Sequence, residues 1–278
     1  MKNNYKDNNI EKFYDNYDDL FKELEKLKNE GFVFRGQGNY VHGITSTLER
    51  VNTNNQQTYN ELEQNILTLF KRSAGNYFEN HYIDMNKGLN LELMSFMRHY
   101  EVDSRLVDFS FSPYVSLFFS CINSLESDGS IFAINVREIN KIADSILGSV
   151  FGEVVGTEEW FNKIIQMKSN SEPPILIAVR PNISNKRIHA QQGLFICVSN
   201  PNFKFEDLIF NKEIYKCFVQ NDYILRFKIN KNLKENLLKK LIVMNVTYDN
   251  LYPDFVGFVK HLSTQAILFN PKTSPEVL

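Results

Sequence analysis

Residues able to do chemistry gather at three places, and the densest runs from Arg98 to Ser120. There His99, Arg98, Arg105, Asp108 and several hydroxyls crowd into one short segment that turns almost wholly apolar after Pro113. Arg105 and Asp108 stand three apart, and the expectation is a buried ion pair that anchors the segment. The alternative has Asp108 accepting from a sugar hydroxyl or acting as a base. His99 is expected to be an oriented hydrogen-bonding side chain before it is a general base. Ser110 and Ser112 alternate with Phe109 and Phe111, which predicts a strand with both hydroxyls on one face. They are open to a ligand-contact role or a plain strand role, and no Gly-x-Ser-x-Gly elbow surrounds them.

The second place is Phe32–Gly36, a short predicted strand that runs into the turn Gly36-Gln37-Gly38-Asn39. Arg35 there offers a planar fork for a phosphate or carboxylate, or equally a buried tie between loops. The third is Lys186–Val198, where Gln191 and Gln192 open a predicted buried strand. A long amide at such a point wants a ligand or a backbone partner, and Gly193 lets the backbone bend close. Arg187 and His189 read as exposed. Pro253-Asp254 reads as a turn and helix cap.

These places must be held together by the elements between them. Apolar spacing predicts helices over Ile10–Asn29, Gln57–Phe78, Leu89–Tyr100, Ile139–Leu147, Glu158–Met167 and Leu233–Leu241, with a closing helix after Pro253. Strands are predicted over Gly129–Val136, Ile175–Val179 and Tyr223–Ile229. Strands and helices interleave along 278 residues without a repeat or low-complexity linker, which predicts one α+β domain. The expected division is a tail and helix over 1–30, the domain over 31–262 and a tail over 263–278.

Composition narrows the partners. A net charge of −2 and 23% charged residues argue against a strongly basic nucleic-acid binder. Cys121, Cys197 and Cys217 are few and widely spaced, so they read as reduced core thiols and no metal is expected. The polar N-terminus has no apolar signal core, and no run is long enough to span a bilayer, so a cytoplasmic protein is expected.

The ordered set FRGQGNY, RHY…SRLVDFSFSP and RIHAQQGLF resembles the FRG domain family. The counterparts of its pattern are Arg35 and Gly36, Glu61 and Phe70, His99 and Tyr100, Arg105 and Asp108, Gln191 to Phe195, and Leu251 to Asp254 with Gly257. Arg98 stands where that pattern has glutamine, Glu101 where it has glycine, and Phe109 where it has tryptophan. A looser likeness is to ADP-ribosyltransferases, through a strand arginine, a Ser-x-Ser strand before proline and an apolar helix, and a late polar strand start. That likeness implies a split, mostly antiparallel β core flanked by helices, and NAD as substrate. It implies catalytic roles among Arg35, Arg105, Asp108, Gln191 and Gln192. The NAD contacts would come from Arg35, Gly36, Gln37, His99, Tyr100, Phe109, Ser110 and Ser112. The late glutamate of those enzymes has no obvious counterpart here.

The expected function is therefore an NAD-dependent ADP-ribosyltransferase or NAD-cleaving enzyme, with a protein or nucleic-acid acceptor left open. The alternatives are a module that binds a nucleotide or nucleic-acid end without catalysis and, more weakly, a metal-independent nuclease.

Overall fold

The computed structural model describes residues 10–51, 57–76, 91–147, 157–166, 174–182 and 186–268. The expected helix ends at Phe78, Leu89 and Met167, the loose residues 1–9 and the last part of the C-terminal tail lie outside them. Its centre is one sheet of seven strands: β1 (Glu11–Phe13), β2 (Phe32–Gln37), β3 (Val107–Ser110), β4 (Gly129–Asn135), β5 (Leu176–Val179), β6 (Gly193–Val198) and β7 (Ile224–Ile229). The order is β1-β7-β4-β2-β3-β6-β5. Among the described residues only β1 with β7 is parallel, so the expectation of a mostly antiparallel α+β core holds, in one continuous sheet where a split one was expected.

Around the sheet lie α1 (Tyr17–Asn29), α2 (Tyr59–Ser73), α3 (Leu91–His99), α4 (Pro113–Ile122), α5 (Val136–Leu147), α6 (Glu158–Gln166) and α7 (Lys186–Ala190). Beyond these come the short α8 (Phe205–Ile209) and α9 (Lys216–Gln220), then α10 (Lys231–Val243), α11 (Tyr248–Leu251) and α12 (Phe255–Leu268). No helix among the described residues is long and apolar enough to cross a membrane.

The local signals are ordinary ones. Asn16 caps α1 by accepting from the Asp19 amide at 3.0 Å. That cap limits the helix, and the residues before it form β1 rather than the helical turn expected from Ile10. Thr58 and Glu61 form a reciprocal capping box at α2. At α4, Ser112 is the cap and Pro113 takes the first turn. Asp254 accepts from the Gly257 amide at 2.9 Å, which bears out its reading as a cap for α12.

Alternation along the strands sorts the core onto two faces. On one face Val33, Phe109, Phe132, Ile134, Leu194 and Ile196 meet Phe205, Tyr215 and Phe218 in a single cluster. The opposite face carries two clusters. Phe34, Ile131 and Phe227 pack under α1, α4 and α10, while Phe195, Cys197 and Ile177 pack under α3 and α6. Register shows what separates them: Phe34 pairs with Ser110, and Asp108 pairs with Phe195. Asp108 and Ser110 therefore face out between two oily regions. The polar strip of the molecule is the seam between its two cores on that face.

Candidate functional site

The seam widens because β2 and β3 share only one bridged pair, Phe34 with Ser110. Beyond it Arg35 and Gly36 part from Asp108 and Phe109. The Arg35 Nη1 donates to the freed Asp108 carbonyl at 2.7 Å, which supplies the partner a ladder would have given. A cleft of about 180 Å³ opens at this split, lined by Arg35, Asp108, Ser110, Phe119, Arg187, Gln191 and Tyr252 among others. A smaller chamber of about 20 Å³ adjoins it, with Ser95, Arg98 and His99 in its wall. Asp108, Phe109, Arg187 and Gln191 line both.

Three guanidinium groups surround one carboxylate here. Arg98 Nη2 pairs with Asp108 Oδ2 at 2.8 Å, and Arg98 Nη1 also donates to Thr47 Oγ1 at 3.1 Å. Arg187 Nη2 donates to the Tyr252 hydroxyl at 3.1 Å, with its guanidinium carbon 4.4 Å from that ring's centre. Burial pushes the Asp108 carboxyl up, but Arg98, Arg35 and Arg187 outweigh it and hold it below the usual range. Its side chain keeps 38% exposure, so the anion remains reachable from the cleft. Burial pushes the Arg35 guanidinium down to about 10, partly offset by Asp108, so it stays charged at neutral pH.

Burial first, then the nearby Arg187, lower the His99 imidazole, while Asp254 acts the other way. At neutral pH the ring is uncharged. Three buried polar atoms at this site have no hydrogen-bond partner among the described residues: Arg35 Nε, Arg98 Nε and His99 Nδ1. Such groups cost free energy when left unpaired, and their concentration at one cleft is a mark of a ligand site.

Several expectations need correction. Arg105 does not pair with Asp108 and does not line the cleft. Its Nε donates to Glu63 Oε2 at 2.7 Å, its Nη2 also meets that oxygen, and its Nη1 reaches the Ser199 carbonyl at 2.5 Å. The reason is geometric: residues three apart in an extended segment lie about 10 Å apart and point to opposite sides. The acid that matters to Arg105 is Glu63, whereas Glu61 sits exposed in the α2 capping box.

Gly36 lines the cleft as expected, but it is not a turn residue. It lies within β2, and a Cβ there would fall 1.7 Å from the Ser116 carbonyl oxygen of α4. Its missing side chain lets helix and strand touch. Gln37 ends the same strand, 8% exposed, and donates to the Gly43 carbonyl at 2.9 Å, away from the cleft.

Ser112 leaves the strand to cap α4, so only Ser110 of the pair lines the cleft. Ser110 donates to the Gln191 carbonyl at 2.7 Å and accepts from the Ser112 amide at 2.9 Å. Its hydroxyl is thus committed to holding β3 against the start of β6. Tyr100 is 49% exposed and lies outside the lining. Gln192 is exposed in a left-handed turn at φ 48°, while Gln191 lines the cleft and donates to the Leu251 carbonyl at 3.1 Å.

Arg187, expected to be exposed, is half-buried and lines both cavities, and Arg98, Phe119 and Tyr252 join the lining although no ligand role was expected of them. Arg98 and Arg187 each adjoin a residue already singled out, and Tyr252 sits in the Leu-Tyr-Pro-Asp motif. Those positions were the available signal. Searches of curated proteins and of solved structures returned no match to this chain. Residues 30–129, the stretch that carries β2, Glu63, the Arg98–Asp108 pair and α4, match the sequence model of the FRG domain, the family that the ordered motifs resemble.

Proposed function

We propose that the cleft binds a dinucleotide of the NAD class and that the protein cleaves it at the nicotinamide–ribose bond. The observation that carries this reading is the convergence of Arg35, Arg98 and Arg187 on Asp108, beside the rings of Phe119 and Tyr252. Three cations around one carboxylate leave an excess of positive charge for a diphosphate. The aromatic side chains offer a wall for a base or pyridine ring. Asp108, held ionised, suits two tasks: accepting from a ribose hydroxyl and facing the positive charge that develops on the sugar as the bond breaks.

At about 180 Å³ the cleft is smaller than the roughly 300–1,000 Å³ of a pocket that swallows a whole ligand. It would take the nicotinamide riboside end and an adjoining phosphate, and the adenosine half would lie along the surface. Asp108 stands in this reading for the late glutamate that the resemblance lacks, since Gln191 is an amide and cannot ionise.

A binding module without chemistry is the second reading, favoured by that same amide at the start of β6. Calorimetry with ADP-ribose and NAD tests the first layer. Arg35→Lys keeps charge but loses the fork, so binding should weaken by roughly tenfold or more if one charge-assisted bond of about 1.5–3 kcal/mol is lost. No heat from either ligand with folded protein would defeat the nucleotide reading. Binding of NAD without nicotinamide release would leave the second reading standing.

A further inference from the structure

The small chamber behind Asp108 has walls and a size that the reading above does not use. It is about 20 Å³, enough for one water molecule and too small for a phosphate or sugar. Ser95, Arg98, His99 and Asp108 give it polar walls, and Asp108 belongs equally to the ligand cleft. His99 Nδ1 is buried with no partner among the described residues, while the chamber needs an acceptor for any water it holds.

Resting on the NAD reading, we infer that this chamber places the attacking water, that His99 takes its proton, and that the reaction is therefore hydrolysis rather than transfer to a macromolecule. The bond between ribose C1′ and the pyridinium nitrogen breaks, and its electron pair leaves with nicotinamide, which becomes neutral. The water oxygen bonds to C1′, and its proton passes to His99 and then to solvent. Asp108 faces the oxocarbenium-like sugar between the two events. Atoms and charge balance as NAD⁺ and water giving ADP-ribose, nicotinamide and one proton.

The imidazole fits the part. Burial and Arg187 keep it neutral, hence able to accept, against the opposing pull of Asp254. Arg98, Arg187 and Asp108 share the chamber wall, and the Tyr100 ring packs edge-on to His99 at 4.9 Å. Burial is the largest influence on the imidazole, and of its charged neighbours Arg187 lowers it more than Asp254 raises it.

The experiment incubates the full chain with NAD and follows free ADP-ribose, nicotinamide and labelled protein together, with ADP-ribose binding measured by calorimetry on the same preparation. Hydrolysis predicts ADP-ribose and nicotinamide in equal amounts, with no label on protein. The rate should fall on the acid side of the ordinary histidine range, as His99, lowered by burial and Arg187, takes up a proton. His99→Gln, checked for a wild-type melting transition, should bind ADP-ribose within threefold of wild type, lose at least a hundredfold in kcat and show no acid limb. Labelled protein without free ADP-ribose would overturn the inference, as would an acid limb retained in His99→Gln. Intact ADP-ribose binding with no turnover would overturn it while sparing the binding site. Absence of ADP-ribose binding would remove the NAD reading and this inference together. The product ratio of the wild-type protein decides the matter even if the variant fails to fold.

Discussion

Replacing Glu63 by glutamine removes one charge from the most enclosed ion pair in the described residues and changes almost no volume. Glu63 is 2% exposed and Arg105 4%. The carboxylate accepts from Arg105 Nε at 2.7 Å and from the Arg105 backbone amide at 3.1 Å, so it ties α2 to the chain just ahead of β3. Glutamine can keep one of these contacts through its oxygen, but the guanidinium is left as a buried cation with no counter-charge. Breaking a buried pair from one side costs about 3–5 kcal/mol. With a urea dependence of about 3 kcal/mol per molar, the unfolding midpoint should drop by roughly 1 M or more. Glu63→Met with Arg105→Met removes both charges and should recover most of that loss, because neither ion then has to be desolvated. ADP-ribose affinity in either protein, measured where it is folded, should stay near wild type, since Arg105 does not line the cleft. A single variant that loses less than about 1 kcal/mol, or a double variant no better than the single, would refute the reasoning.

Other expectations follow from single positions. Gly36→Ala should cost about 3 kcal/mol or more in chemical denaturation, because the new Cβ would sit 1.7 Å from the Ser116 carbonyl and α4 would have to lift. Glu101→Gly should stabilise by about 1 kcal/mol, since Glu101 holds φ 62° and glycine bears no side-chain penalty there; calorimetric melting reads this out. Asp108 is depressed in the folded state, so its contribution to stability is present above the ordinary aspartate value and is lost as pH falls through the depressed one. Asp108→Asn should therefore flatten the acid limb of the stability curve below about pH 4, and an unchanged limb would count against the Arg98–Asp108 pair.

How far the sequence could be read shows in particular residues. The strands β2, β4, β6 and β7 were legible because their apolar runs are bounded by glycine, proline or polar residues. β1 was not: Phe13, Tyr17, Leu20, Phe21 and Leu24 fit a helical period, and only the Asn16 cap breaks it. The importance of Arg35, Asp108 and Gln191 was visible from residue type at the ends of strands. Their partners were not, because pairing depends on which strands become neighbours. Arg98 is ten residues from Asp108 and Glu63 is 42 from Arg105, and no local spacing rule reports either contact. The Ser110 and Ser112 alternation failed at the second serine, where Pro113 opens α4 and makes Ser112 a cap.

The most direct test of the account is a crystal structure of the protein with ADP-ribose at saturating concentration. The account predicts phosphate oxygens within about 2.7–3.2 Å of the Arg35, Arg98 or Arg187 guanidinium groups, and a ribose hydroxyl donating to Asp108. A ligand seated elsewhere on the molecule, or a cleft without ligand at saturation, would contradict it.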